Sequence, residues 1–285
     1  MLIVTKTPGE IREIVEAWKV QNLTIGLVPT MGFLHEGHAS LIKKAREEND
    51  RVIVSDFVNP IQFGPSEDFE AYPRDFEADR ALCEELGADM IFNPEAPDMY
   101  AENFSTYVNV DEVTEGLCGA KRPGHFKGVC TVVSKLFNLS GCDRAYFGQK
   151  DAQQLAVIRR MVRDLNFPID IVGCPIIREE DGLAKSSRNT YLSPNERKAA
   201  TVLNRSLQKG MELVLEDGID DANTIKDAIR MEIDQEGLAM IDYIEVVEWD
   251  SLANVSRING PVLVAIAVYI GKTRLIDNFI IGDAS

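Results

Sequence analysis

The 285-residue chain has only three histidines, no two cysteines in a CxxC spacing, and no apolar run long enough to cross a bilayer. Each shortage excludes a class of protein. The five cysteines (Cys83, Cys118, Cys130, Cys142 and Cys174) are odd in number and scattered, which fits neither a disulfide framework nor a zinc ribbon. That usage fits a reducing cytosol. The longest apolar run, Val262 to Ile270, is about half a membrane span at best. The amino terminus, MLIVTKTPGE, lacks the basic region and long apolar core of a secretory signal. Positive charge is short as well: 30 Lys and Arg stand against 46 Asp and Glu, a net charge of −16. Phosphate-backbone binding needs a basic face, so nucleic acid is not expected as a partner. A local cluster of donors can still hold a small anion against the overall field. The expectation is a cytoplasmic protein with no membrane partner, no internal repeat and no low-complexity segment.

What the chain has is an apolar fraction of 45%, enough for a substantial core. Over the first 177 residues, β-rich runs at 23–28, 52–58, 89–92, 106–110, 143–147 and 169–177 alternate with helical patterns at 38–49, 74–86, 125–139 and 150–165. Near-continuous apolar strands between helices indicate a parallel sheet covered on both faces. After Ile177 a polar loop leads to Ser193-Pro194-Asn195-Glu196, a capping box with proline at the first helical position. Two helical patterns follow, then strand-like runs at 241–248, 261–269 and 274–281. The fold class read from this is α/β: a Rossmann-like parallel sheet with helices on both faces over 1–177, and a smaller C-terminal α+β domain over 178–285.

Two of the three histidines fall in PTMGFLHEGH, residues 29–38, where a strand gives way to a helix. Three readings compete for His35 and His38. They are helix punctuation with a core histidine, or two ligands of a metal site whose third ligand is His125 or Glu36, or donors to a phosphate at a helix amino terminus. Phe147-Gly148-Gln149-Lys150-Asp151 repeats the geometry: strand end, glycine, helix start. Lysine is electrostatically misplaced there unless an anion meets it, and Asp151 suits either a first helical turn or a ribose hydroxyl. The loop Gly182 to Asn189 (GLAKSSRN) concentrates two cations, two hydroxyls and an amide, or is simply a solvated linker.

Taken together, PTMGFLHEGH, FVNPIQF, YPRD, RPGHFKGV, FGQKDAQQL and DGLAKSSRN resemble, in order, the motifs of the pantoate–β-alanine ligase family. That family lies within the nucleotidyltransferase superfamily. The resemblance covers nearly the whole chain. It implies that ATP, with Mg²⁺, converts D-pantoate into a bound pantoyl adenylate, and that the amine of β-alanine then displaces AMP. It implies catalytic roles for His35, His38, Lys150, Ser186, Ser187 and Arg188. Met31, Gly148, Asp151, Ile177 and Lys185 join these as ATP contacts, with Gly148 and Asp151 at the ribose and the Ser186–Arg188 stretch closing over the triphosphate. Pro29, Met31, Asn59, Gln62 and Gln154 would take pantoate, the two glutamines because a carboxamide both donates and accepts. Pro29, Met31 and Phe63 would accommodate its geminal dimethyl group. Arg122 and His125 would support the second half-reaction, Asp79 would help anchor Mg²⁺, and the enzyme would be a homodimer.

Two departures from the family pattern stand out. Lys185 occupies a position that is usually apolar, and Ala78 and Leu82 stand beside Asp79 where polar groups can occur. For Lys185 the chemistry favours pairing with Glu179, Glu180 or Asp181 over a second phosphate clamp. A nucleotidyltransferase acting on a phosphate-bearing acceptor would need a further basic pocket, and a tRNA synthetase an anticodon module. A non-catalytic nucleotide sensor gives no reason for two glutamines and a histidine pair.

Overall fold

Among the described residues, short apolar strands build one parallel sheet: β1 (Ile3–Thr5), β2 (Ile25–Thr30), β3 (Arg51–Asp56), β4 (Met90–Phe92), β5 (Arg144–Gly148) and β6 (Asp170–Cys174). The computed structural model describes residues 2–65 and 67–282. The strand order is β1-β4-β3-β2-β5-β6. Helices α1 (Pro8–Val20), α2 (Glu36–Glu48), α3 (Phe76–Glu85) and α4 (Ala96–Met99) come from the first part of the chain. After α5 (Leu117–Lys121) come α6 (His125–Ser140) and α7 (Ala152–Asp164). α2 packs with α3 and covers β2, β3 and β5, whereas α1 packs with α6, which covers β2. One core joins Val28, Val52, Val54, Ile91 and Tyr146 of the strands to Leu41, Ile42, Ala45 and Cys83 of α2 and α3.

The chain divides into two units. The first is Met1–Asp111, Arg122–Gln149 and Val157–Pro175; the second is Glu112–Lys121, Lys150–Ala156 and Ile176–Ser285. In the second, α8 (Pro194–Ala199), α9 (Val202–Leu215) and α10 (Ala222–Ile233) precede an antiparallel sheet of β7 (Ala239–Glu248), β8 (Val262–Ile270) and β9 (Thr273–Ile281), in the order β7-β8-β9. Its core packs Leu203, Leu207, Ile225 and Ile229 of the helices against Ile244, Val246, Val264 and Ile266 of the sheet. The capping box at Ser193 is present, with the serine hydroxyl accepting from Glu196 N and the glutamate accepting from Ser193 N. Among the described residues no helix is long and apolar enough to cross a membrane.

The structure corrects the sequence reading at three places. Residues 106–110 form no strand: Val108 N–H donates to Thr131 Oγ1 at 3.0 Å, and Tyr107 packs under the Lys127 ammonium. The strand expected over 169–177 stops at Cys174, because Pro175 has no N–H for the ladder. β1 and α1 were not anticipated, although α1 carries its own signature, a Thr7–Glu10 capping box, Pro8 in the first turn, and Ile11, Val15 and Trp18 on one buried face. The histidine stretch therefore follows the second strand rather than the first.

Candidate active site

β2 has β3 on one side and β5 on the other; from β2 the chain moves outward to β3 and β4, and from β5 it moves outward the other way to β6, so the strand order reverses between β2 and β5. Such a reversal opens a crevice beyond the strand ends, where ligands of parallel α/β sheets collect. Here the β2–β5 ladder holds only at Gly26–Arg144 and Leu27–Ala145. Beyond it comes Pro29, which has no N–H to offer. The histidine loop leaves the end of β2, and Gly148 ends β5; a Cβ at Gly148 would meet nothing within 4 Å. The open backbone at Gly148 thus ends the strand that neighbours β2, from which the histidine loop leaves.

His35 is the N-cap of α2: its Nδ1 accepts from Gly37 N at 3.1 Å, while His38 Nδ1 accepts from His35 N at 3.3 Å. This is a capping box made of two imidazoles, with ring centroids 4.1 Å apart. An Nδ1 that accepts carries no proton, so in each neutral ring the N–H sits on Nε2. Helix punctuation thus uses Nδ1 of both rings and puts the N–H of each neutral ring on Nε2.

The loop before them is held in a costly shape. Gly32 and Phe33 both lie in the left-handed region, with φ of 78° and 52°. For phenylalanine that costs about 1 kcal/mol or more. Asp79, only 3% exposed at the start of α3, accepts from Phe33 N and Leu34 N at 2.6 Å each, so successive backbone N–H groups form a nest around its carboxylate. A side chain at Gly32 would collide with Asp56 Oδ1. Burial, and then the neighbouring Asp79, push the Asp56 carboxyl up to about 7. Burial also raises Asp79, against the two N–H groups that favour its charged form. Among the described residues no group of three or more His, Cys, Asp or Glu is arranged to hold a metal ion.

A second wall of the first unit is built around Gln62, in the 3-10 turn Pro60–Gln62. Asn59 Nδ2 donates to Gln62 Oε1 at 2.9 Å and to Gly128 O at 3.2 Å, while Tyr100 OH donates to Asn59 Oδ1 at 2.7 Å. With its oxygen so engaged, the Gln62 carboxamide turns its nitrogen towards Met31 Sδ, 3.1 Å away. Four of the five residues expected to take pantoate (Pro29, Met31, Asn59 and Gln62) thus lie in the first unit, the last three in direct contact. Phe63 packs edge-on against Phe69 and Tyr72. Arg122 and His125 meet at 2.9 Å, and His125 Nδ1 lies 2.9 Å from Gln62 O.

Lys150, Asp151, Gln154, Ile177, Lys185, Ser186, Ser187 and Arg188 belong to the second unit. Lys150 and Asp151 form the 3-10 turn that runs into α7, and Lys150 O accepts from Asn278 Nδ2 at 2.9 Å. Gln154 is half-buried, but its neighbour Gln153 is 6% exposed and holds the carbonyls of Val113 and Gly116. Arg178 and Ala184 pair across a hairpin, where Lys185 N donates to Ile177 O at 2.9 Å. Arg178 grips Asp277, 1% exposed on β9, through both terminal nitrogens at 2.7 and 3.0 Å. Ser186 caps the 3-10 turn Ser187–Tyr191, accepting from Arg188 N, and Asn189 ties the turn back to Ala184 O. Lys185 Nζ is 2.7 Å from Glu179 Oε2, one of the three carboxylates expected to engage it. Arg178, Asp277, Gln153, Tyr100 and Glu67 were not anticipated as site-building residues, and pairs such as Arg178–Asp277, 99 positions apart, leave no local signal.

A family model described as pantoate-beta-alanine ligase matches residues 3–280. A pantothenate synthetase of Clostridium botulinum (strain Kyoto / Type A2) is 61% identical over 276 residues, 97% of this chain and 98% of its own. One from Clostridium acetobutylicum is 62% identical over 271 residues, covering 95% and 96%. Among solved structures, a pantothenate synthetase from Thermus thermophilus superposes with a TM-score of 0.92 at 45% identity, over 97% of this chain and 98% of that one. A pantoate-beta-alanine ligase from Francisella tularensis, complexed with beta-gamma ATP and beta-alanine, gives a TM-score of 0.79 at 34% identity, over 98% of both chains.

Proposed function

The chain belongs to the pantoate-beta-alanine ligase family, and from that premise we propose that it makes pantothenate from D-pantoate and β-alanine with ATP, by way of a pantoyl adenylate. The carrying observation is the imidazole capping box, which places the N–H of both rings on Nε2 at the amino terminus of α2, beside the crevice between β2 and β5.

In the first half-reaction the pantoate carboxylate attacks the α-phosphorus of ATP and pyrophosphate leaves. No covalent help from the protein is needed. Rate comes from alignment, from donors aimed at the charge that builds on phosphate oxygens, and from exclusion of water from the mixed anhydride. His38 and His35 donate through Nε2, and the α2 amino terminus adds its partial positive charge. Lys150 and Arg188, with Ser186 and Ser187, supply further phosphate donors; Gly148 and Asp151 take the ribose, and Met31 and Ile177 complete the nucleotide contacts, while Lys185 is engaged by Glu179. Gln62 and Gln154 hold the pantoate hydroxyls, with Pro29 and Met31 against its methyl groups and Asn59 orienting Gln62. In the second half-reaction the β-alanine amine attacks the acyl carbon, the acyl–phosphate bond breaks and AMP departs. Arg122 and His125 support this step through the Gln62 turn.

Mg²⁺ belongs to this reading as the counter-ion of ATP. The donors around the histidine loop are imidazoles and backbone N–H groups, and both Asp79 oxygens already accept from backbone. That set fits an ion carried on the triphosphate and its waters better than a protein cage, and Asp79 would help anchor it. When bound, it supplies charge neutralisation on the phosphate oxygens. A cytoplasmic location is supported by five free, buried cysteines. The homodimer is carried by the family resemblance, and sedimentation equilibrium tests it. The reaction is tested by ATP–pyrophosphate exchange: it should require D-pantoate, and exchange without D-pantoate refutes the assignment.

A further inference from the structure

His125 is 9% exposed and is engaged at both ring nitrogens: Nε2 faces Arg122 Nη1 and Nδ1 faces Gln62 O, each at 2.9 Å. A guanidinium only donates, so Nε2 must accept. The proton then sits on Nδ1 and is given to the Gln62 carbonyl. This tautomer is the opposite of that required at His35 and His38, where Nδ1 accepts.

What aims Arg122 is Glu67. Arg122 Nε donates to Glu67 Oε1 at 2.6 Å and Nη2 to Oε2 at 2.8 Å, which leaves Nη1 for the imidazole. The fork-on-fork geometry fixes the guanidinium plane as well as its position. Glu67 Oε2 also accepts from Gly64 N at 3.1 Å. Burial pushes the Glu67 carboxyl up, but the Arg122 hydrogen bonds and charge outweigh it and hold the group at about 2. One carboxylate thus ties Gly64 N to Arg122 and, through His125, Gln62 O to the first turn of α6. No sequence motif singled it out.

We propose that Glu67 is a positioning residue that sets pantoate affinity: through Arg122 it selects the His125 tautomer that holds the Gln62 carbonyl, and so the direction of the Gln62 carboxamide. This rests on the assignment of Gln62 to pantoate. Glu67→Gln keeps the shape but presents an amide donor to the guanidinium. Arg122→Lys keeps the charge but lacks the planar fork that meets Glu67 with two donors and His125 with a third.

The test combines long-range ¹H–¹⁵N spectra of the histidine rings with steady-state kinetics; with three histidines in the chain, each ring is assignable. The parent should show Nδ1–H at His125 and Nε2–H at His35 and His38. In Glu67→Gln, and independently in Arg122→Lys, His125 should lose the pure Nδ1–H signature. The pantoate KM should rise about tenfold, the loss of roughly one charge-assisted hydrogen bond, while the ATP KM stays within a few-fold. An unchanged tautomer with an unchanged pantoate KM overturns the proposal, as does an ATP KM that rises in step. A parent that shows no pantoate-dependent exchange refutes the function instead, and the spectra still decide whether Glu67 sets the tautomer.

Discussion

Gly128, at the end of the first turn of α6, lies hard against the Gln62 turn. A Cβ built there would lie 2.5 Å from Gln62 Cα and from Ile61 O, and 2.7 Å from Gln62 N. All three are backbone atoms, so no side chain can swing aside. To restore an ordinary contact of 3.4 Å the turn must retreat by about 0.9 Å. Two effects compete in Gly128→Ala. Helix propensity favours alanine by about 1 kcal/mol. Overpacking against fixed backbone costs about 1–3 kcal/mol, and the retreat stretches the His125–Gln62 O bond of 2.9 Å, a further ~1 kcal/mol. The cost wins, and a net loss of about 1–3 kcal/mol lowers Tm by roughly 2–4 °C per kcal/mol. The functional effect is larger, because a displacement of about 1 Å at a substrate-orienting group costs on the order of a hundredfold in rate. Thermal unfolding and initial rates at varied pantoate measure both quantities. Gly237→Ala, where a Cβ meets nothing within 4 Å, is the control and should change neither. If Gly128→Ala matches the parent in Tm and in kcat/KM for pantoate, the turn is not braced against α6 and the reasoning fails.

Replacing His35 or His38 by alanine should leave the fold intact at a cost of about 1 kcal/mol for the lost cap, and lower pantoate-dependent pyrophosphate exchange roughly a hundredfold, a loss of ~3 kcal/mol; full exchange activity in either variant would remove the histidines from the phosphate site. Alanine at Gln62 or Gln154 should raise the pantoate KM far more than the ATP KM, and equal increases would show that the glutamines do not select pantoate. Because Lys185 is engaged by Glu179 at 2.7 Å, an ion pair worth about 0–1 kcal/mol, Lys185→Met should keep turnover within a few-fold; Arg188→Ala should lower it by about two orders of magnitude. A collapse in Lys185→Met would reveal a second phosphate clamp. Asp56 has a folded pKa of about 7, raised from 3.8. Its contribution is therefore fully present below about pH 4 and is lost as pH rises through 7. Denaturant unfolding of Asp56→Asn across that window should show a shallower decline in stability than the parent; equal slopes would mean that Asp56 is charged in the fold.

How much was legible varies with the range of the forces involved. Strands β2, β3 and β5 and helices α2, α3, α6 and α7 were visible because apolar periodicity and capping act within one turn or one strand. α1 carries an equally local signature in its Thr7–Glu10 capping box. The strand expected at 106–110 failed because propensity cannot know that Thr131, on a helix, offers the Val108 N–H a better partner than any neighbouring strand. Ordered motifs named the histidines, Gln62 and the Lys185–Arg188 loop. They carried no word of Glu67, Tyr100, Asp277 or Arg178.

By itself the sequence determined the α/β class, the parallel order implied by buried strands between helices, and the ordered short motifs that carry the family resemblance. Those are properties of short windows and of composition. Only the tertiary structure decided that β2 lies between β3 and β5, so that the histidine loop opens onto a crevice. It also decided that Asp79 commits both oxygens to the loop backbone, and that Arg122 and His125 serve the Gln62 turn through a carboxylate 55 residues from the arginine it holds. A hydrogen bond is felt over about 3 Å, and the chain brings such partners within that distance only once it has folded.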